Sequence, residues 1–387
     1  MKGSINKKML FVSTIPGTID RFLLPFADKL REENWIVHAM ANGITGNRSI
    51  ANHFDQLWDV RFSREVSAAV LGMPGNVRNI KRILENERYQ IVHTHTPIAS
   101  FTVRFAASRL GISARPKVVY TAHGFHFHDL GSKMSNAMFF EAERLAARWT
   151  DVLIVINEED YRNATGRNMI SPDRVKQLPG IGIDSSLFDP GRYSEKQVQE
   201  RRAILNVPKD VKVFLIPAEF TPNKRHIDAI EAMKLMERTD ALLLFAGNGK
   251  LEHSLRKLVE KQKLSERIRF LGQQSDIPLL MKMATAVLLT SIREGLPRVL
   301  LEAMSMNIPI IATDIRGSRD LLKSGCGILV PPRSPSKIAE AMTWILENNE
   351  AAANIGDRGR PLVLSRYDDK IVLSRQIQIY DELINRM

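Results

Sequence analysis

Apolar residues fall along the chain in two alternating patterns. One is a short unbroken run bounded by polar or turn residues, as in MLFVST at 9–14, IVHTHT at 91–96 and AVLLTS at 286–291. Such a run, rich in Val, Ile, Leu and Phe, predicts a strand covered on both faces. The other pattern repeats every three and four residues and predicts a helix that packs by one side. In the first half, strands are expected at 9–14, 35–41, 91–96, 117–123 and 152–157, with helices at 20–33, 77–88, 98–110 and 133–149. In the second half, strands are expected at 211–217, 241–247, 268–272, 286–291, 308–314 and 327–331. Alternation of strand and helix implies parallel sheets and an α/β fold.

The alternation breaks at 184–210, DSSLFDPGRYSEKQVQERRAILNVPKD, a polar and proline-punctuated stretch. At 387 residues the chain has room for two domains with full cores. The expected organisation is a Rossmann-like domain over 1–190, a second over 191–367, and a last helix from 368 to 387 that packs back on the first. Both domains are expected to be doubly wound and to face each other across a cleft. No short internal repeat or low-complexity segment interrupts them.

Composition narrows the class: 44% of residues are hydrophobic and 25% charged, as in soluble globular proteins. No apolar stretch is long enough to cross a bilayer. The opening MKGSINKKMLFVSTIPG reads as a first strand entering a loop, its apolar part being too short for a secretory signal. A single cysteine, Cys326, excludes an internal disulfide and fits a reducing cytoplasm. Lys and Arg number 55 against 43 acids, a net charge of +12. Residues 61–117 hold ten Lys and Arg against three Glu. Excess positive charge favours lipid head groups, diphosphates or nucleic acid, although a single basic residue is ordinarily just solvated.

Candidate chemistry begins at REGLPRVLLEA, 293–303, where Glu294 and Glu302 flank the start of a predicted helix. Pro297 suits the first helical turn, where its missing N–H is not needed. Free N–H groups and the positive end of the helix dipole suit a diphosphate. Glu302 lies roughly 8 Å further along the axis. Glu294 would then grip a sugar and Glu302 a nucleoside ribose, each accepting hydrogen bonds from hydroxyls. The plainer reading has Glu294 capping the helix and Glu302 pairing with Arg298. GNGK at 247–250 completes neither a P-loop nor G-x-G-x-x-G and reads as a strand-to-helix turn.

The stretch EGLPRVLLE resembles the E-x7-E signature of retaining nucleotide-sugar glycosyltransferases, specifically glycosyltransferase family 4 with the two-domain GT-B fold. The surrounding S-x-R-E-G-L-P, the E-A-M helix and the strand IPIIATDIRG are similar as well, and so are YTAHGFHFH at 120–128, LPGIGID at 178–184 and SGCGILVPP at 324–332. IRGSRDLL is especially similar to bacterial enzymes that assemble capsule, exopolysaccharide or glycan repeat units.

The resemblance implies a transferase that moves a hexose or N-acetylhexosamine with retention, from a UDP-sugar or, second, a GDP-sugar. It implies Glu294, Gly295, Leu296 and Glu302 at the donor, and Lys224 in AEFTPNKRH on the diphosphate. Glu219 stands where many relatives carry an arginine. Gln274 marks a segment whose backbone meets the nucleobase, and Gly17 in STIPGTID approaches the phosphates. His123 is placed against the donor sugar near the reaction centre, with His126 and His128 toward the acceptor. The implied acceptor is a glycan, soluble or linked to polyprenyl diphosphate, at the inner face of the membrane, where a basic first domain meets anionic lipid.

His93 and His95 share one strand face and invite a zinc reading. No Cys accompanies them and the chain has no D-x-D, so neither a metal nor a cofactor is expected. A nucleotide-sugar epimerase of related fold is the runner-up. A dinucleotide oxidoreductase would need a Gly-rich fingerprint that is missing. A nucleic-acid binder would leave the glutamate pair without a role.

Overall fold

The computed structural model describes residues 7–63, 66–128 and 131–385, with backbone alone over 66–71. The chain divides into two compact units, one running to Ile181 and resuming at Val372, the other Gly182–Ile371.

The first unit holds strands β1 (Lys8–Val12), β2 (Ile36–Ala41), β3 (Gln56–Asp59), β4 (Ile91–Thr94), β5 (Lys117–Ala122), β6 (Val152–Val155) and β7 (Val175–Gln177). They form one parallel sheet in the order β3-β2-β1-β4-β5-β6-β7. The second unit holds β8 (Lys212–Pro217), β9 (Ala241–Ala246), β10 (Ile268–Gly272), β11 (Ala286–Leu289), β12 (Ile310–Thr313) and β13 (Ile328–Val330). Their order is β10-β9-β8-β11-β12-β13, again all parallel. In each sheet the winding reverses once, at β1/β4 and at β8/β11. Ligands of open α/β sheets bind outside the strand ends at such a reversal.

Central strands are the apolar runs of the sequence, and β4, β6, β9, β11 and β12 are buried at every position. Two strands were not expected, β3 and β7. Both are short edge strands with exposed residues and so lack an unbroken apolar run. The helix expected at 20–33 is two helices, Pro16–Phe22 and Leu24–Glu32, because Pro25 has no N–H to continue the first and fits the opening turn of the second. The helix expected at 77–88 begins earlier and runs Val66–Glu87 through Pro74.

The helix Asp369–Asn385 sends Val372, Ile377, Tyr380 and Leu383 into the first unit's core beside Met9, Phe11 and Ile91. Where the chain leaves the first unit, Ile183 pairs with Asp368, and a Cβ on Gly182 would lie 2.6 Å from the Asp369 Cα. The passage between units therefore precedes the polar stretch expected to carry it. That stretch instead forms the helix Glu195–Ile204, closed by a Ser194/Gln197 capping box.

The basic excess of 61–117 is not all surface. Arg104 is 1% exposed and donates to Glu143 Oε2 at 2.9 Å, with its guanidinium over the Tyr120 ring. Arg115 and Lys117 both pair with Asp151. Among the described residues no helix is long and apolar enough to cross a membrane.

Candidate functional site

At the reversal of the second sheet, the loops after β8 and β11 are stitched together. Asn223 accepts a hydrogen bond from the Ile292 N–H and donates one to the Arg293 carbonyl, at 3.0 and 2.9 Å. The Thr290 hydroxyl donates to the Lys224 carbonyl at 2.7 Å. Held in this way, Lys224 Nζ reaches Glu294 Oε1 at 2.6 Å, with 24% and 16% of the two side chains exposed. Lys224 and Glu294 thus form one charged pair at the sheet's ligand-binding end. Seventy positions separate them, and no local spacing in the sequence announces the contact.

Glu294 is fixed from behind as well. Arg316 Nε donates to the Glu294 carbonyl at 2.9 Å. Gly317 packs so closely on the turn that a Cβ there would lie 2.3 Å from the Gly295 carbonyl oxygen. The turn Glu294–Gly295–Leu296 therefore has little freedom, and Leu296 packs on the second unit's core. The following helix is Arg298–Ser305, with Pro297 at its N-cap and not in its first turn. Glu302 is its fifth residue. Burial raises its carboxyl above the ordinary range, against the pull of Arg298, whose Nε lies 3.8 Å away. The i,i+4 pair of the plainer reading is thus present, but it is long.

GNGK at 247–250 joins β9 to the helix Glu252–Lys261. A Cβ on Gly247 would lie 2.2 Å from the Ala218 carbonyl oxygen, and one on Gly249 2.6 Å from the Phe220 nitrogen. These glycines let one loop lie flat against the Lys224 loop. Glu219 is exposed on that loop. The Gln274 side chain is already engaged, donating to the Leu271 carbonyl at 2.6 Å and accepting from Arg201 at 2.5 Å. The side chain is thus held toward Leu271 and Arg201.

In the first unit, the loops after β1 and β4 are joined where the sheet reverses, by Thr14 and Thr96 hydroxyls 2.7 Å apart. Gly17 is the second residue of the helix Pro16–Phe22, and a Cβ there would meet Ile15 Cδ1 at an ordinary contact distance of 4.0 Å. His93 on β4, His95 just beyond it and His123 just beyond β5 stack in a row, with ring centroids 4.1 and 5.4 Å apart. Phe22 closes the row over His123. His93 Nδ1 lies 2.6 Å from the Tyr380 hydroxyl and Nε2 2.8 Å from the Thr121 hydroxyl. His95 Nδ1 lies 3.1 Å from His123 Nε2. Burial holds His93 and His95 well below the usual histidine range and His123 down to about 4, so all three are neutral near pH 7.

His126 is exposed and its ring meets Phe139, while the His128 N–H donates to Asn136 at 3.2 Å. Among the described residues, no group of three or more His, Cys, Asp or Glu is arranged to hold a metal ion.

What the second unit offers is a cation and a carboxylate held side by side, just ahead of the helix Arg298–Ser305. That suits an anionic group bonded to a hydroxyl-rich one.

Comparison with known proteins gives this chemistry a family. Residues 197–361 match the family model "Glycosyl transferases group 1", and residues 20–185 match "Glycosyltransferase Family 4". EpsD of Bacillus subtilis (strain 168) is 33% identical over 383 residues, covering 97% of each chain. The UDP-Gal:alpha-D-GlcNAc-diphosphoundecaprenol alpha-1,3-galactosyltransferase of Escherichia coli is 30% identical over 251 residues, 64% of this chain and 63% of its own. Among solved structures, Anabaena Alr3699/HepE in complex with UDP superposes with a TM-score of 0.80 at 19% identity, over 98% of this chain and 100% of its own. With two parallel Rossmann-like sheets, matches to both family models and a full-length relative, this chain is a member of glycosyltransferase family 4 with the GT-B fold, a glycosyltransferase that uses a nucleotide sugar.

Proposed function

We propose that the protein transfers a hexose or N-acetylhexosamine from a UDP-sugar, with retention and without a metal ion, to a saccharide carried on polyprenyl diphosphate. The observation that carries this reading is the Lys224–Glu294 pair at the reversal of the second sheet. Lys224 releases Glu294 to neutralise the donor diphosphate. Glu294 accepts from hydroxyls of the transferred sugar, Gly295 and Leu296 offer backbone, and Glu302 holds the ribose. Gly17 approaches the phosphates, and the backbone at Gln274 meets the base. His123 serves the departing group. The bond from the anomeric carbon to the diphosphate oxygen breaks as the acceptor oxygen bonds on the same face, and that diphosphate oxygen takes the acceptor's proton. Protein groups then act by orientation and charge. The name of the Escherichia coli relative, with a UDP-sugar donor and a diphosphoundecaprenol-linked acceptor, supports this choice of substrates.

The test is a transfer assay with the full chain, short-chain polyprenyl-diphosphate N-acetylglucosamine and a panel of UDP- and GDP-sugars, with the product anomer read by NMR. Retained configuration from a UDP-sugar in excess EDTA is expected. Inversion, or activity that vanishes with chelator and returns with Mg²⁺ or Mn²⁺, would overturn the mechanism.

A lipid-linked acceptor places the protein in the cytoplasm at the inner face of the membrane. Met134 and Met138 stand 86% and 57% exposed on the first turns of the helix Lys133–Ala147, which opens on the exposed Lys133. Exposed apolar side chains beside a lysine suit an anionic bilayer surface. Co-flotation with anionic liposomes should weaken as salt rises and when both methionines become serine. Indifference to such liposomes at low salt would remove the membrane from the proposal.

A further inference from the structure

We infer that His95 is a positioning residue that fixes the tautomer of His123, so that His123 presents an N–H at Nδ1. This rests on the assignment of His123 to the donor, but the tautomer itself is read from the geometry of the histidine row.

Between His95 Nδ1 and His123 Nε2, 3.1 Å apart, one nitrogen carries the proton and the other accepts it. The choice falls on the far side of His95. That residue is 2% exposed, and its Nε2 is buried with no hydrogen-bond partner among the described residues. If His123 donated, His95 would carry its own proton on Nε2 and bury an unpaired N–H. An unmet buried donor carries the full desolvation penalty of its N–H group. A bare ring lone pair in the same place is the lesser penalty, since orphaned donors are rarer than under-used acceptors. His95 therefore holds its proton at Nδ1 and donates it to His123 Nε2. Neutral His123 is left with its proton at Nδ1.

The next ring cannot disturb this arrangement. Gln376 Nε2 donates to the Tyr380 hydroxyl at 2.5 Å, so the hydroxyl's own proton is free to bond His93 Nδ1 at 2.6 Å. His93 must then carry its proton on Nε2, where it donates to Thr121 Oγ1 at 2.8 Å. Both nitrogens of His93 are committed. His95 stacks on this fixed ring and beside Phe11. Gln376 and Tyr380 stand on Asp369–Asn385, so the last helix of the chain braces the row from below.

The consequence is chemical. A fixed Nδ1–H donates to an oxygen acceptor and favours one bearing negative charge, as on a leaving diphosphate. The opposite tautomer would present a lone pair there and favour a sugar hydroxyl acting as donor.

Two-bond ¹H–¹⁵N spectra of the full chain labelled with ¹⁵N-histidine, at pH 7.5, read the tautomers without any activity. The expected result is Nε2–H for His93 and Nδ1–H for both His95 and His123. Nε2–H at His123 would overturn the inference, whatever the transfer assay shows. In kinetics, His95→Asn, whose amide reaches the place of Nδ1 and can donate there, keeps kcat within about threefold, whereas His95→Leu lowers it about tenfold or more. A His95→Leu protein with unchanged kcat and unchanged His123 tautomer would equally remove the role. An inactive wild-type chain with the expected tautomers would instead count against the proposed substrates.

Discussion

Glutamine in place of Glu294 should lower kcat by about 10²- to 10³-fold and leave the protein folded. The carboxylate is assigned to the sugar that is transferred, where charge and geometry change as the bond to the diphosphate breaks. Contacts that strengthen only in the transition state appear in kcat. The fold should survive because the exchange keeps a hydrogen-bond acceptor of nearly the same shape beside Lys224. A glutamine oxygen can still accept from Lys224, and the turn stays held by Arg316 and by the contact with Gly317.

Glu302→Gln should behave differently. Its carboxyl lies five residues into the helix Arg298–Ser305 and is assigned to the ribose, which takes no part in bond making. Uniform binding lost in this way raises KM for the donor about tenfold and changes kcat little. Because burial already raises the Glu302 carboxyl, exchange for a neutral amide should not destabilise the helix. Initial-rate kinetics with circular dichroism as the folding control separates the two roles. Wild-type kinetics in Glu294→Gln would remove Glu294 from the donor site. Loss of fold in both variants would return the glutamates to helix capping and the Arg298 pair.

Much of the scaffold was legible because buried parallel strands are written as unbroken apolar runs. The edge strand β10 has the expected bounds, because it still carries apolar residues, and the central strands differ only at their ends. Edge strands β3 and β7 escaped because half-exposed strands carry no such run. The site was legible in parts. Glu294, Gly295 and Pro297 mark a strand-to-helix turn by local chemistry alone, and the resemblance drew attention to Lys224 and His123. What no local pattern could provide is which distant groups meet. Lys224 and Glu294 touch only because β8 and β11 are neighbours in the sheet, and His93 meets Tyr380 across 287 positions because the last helix returns to the first unit. The zinc reading of His93 and His95 saw the shared strand face correctly. Hydrogen bonds to Tyr380, Thr121 and His123 occupy three of their four ring nitrogens.

Mild acid should unfold the first unit before the second. His38, His93 and His95 are all buried in the first unit, whereas His226 is the buried histidine of the second. Burial lowers each of them, His38 and His226 to about 4 and the other two well below their ordinary value. His123, partly exposed, is also lowered to about 4 and adds to the first unit. For a histidine depressed in the folded state, the unfolded chain binds the proton first as pH falls. Stability is therefore intact above the unfolded pKa near 6.5 and declines as pH drops from there toward the folded value. At pH 5 a histidine held at about 4 in the fold, such as His38 or His123, removes about 2 kcal/mol, and His93 and His95 act in the same direction. Ordinary carboxylates remain largely ionised at that pH, so they contribute little to the difference. Glu302 acts in the opposite sense: its raised carboxyl makes the second unit slightly less sensitive to acid. Trp35, Trp58 and Trp149 lie in the first unit and Trp344 in the second, so tryptophan emission reports mainly on the first. Titrated from pH 7 to 4.5, emission should change before helical circular dichroism is fully lost, and hydrogen exchange should rise first in β1, β4 and β5. Equal acid sensitivity in the two units, or a first unit indifferent to pH between 7 and 5, would mean that these histidines are not held neutral.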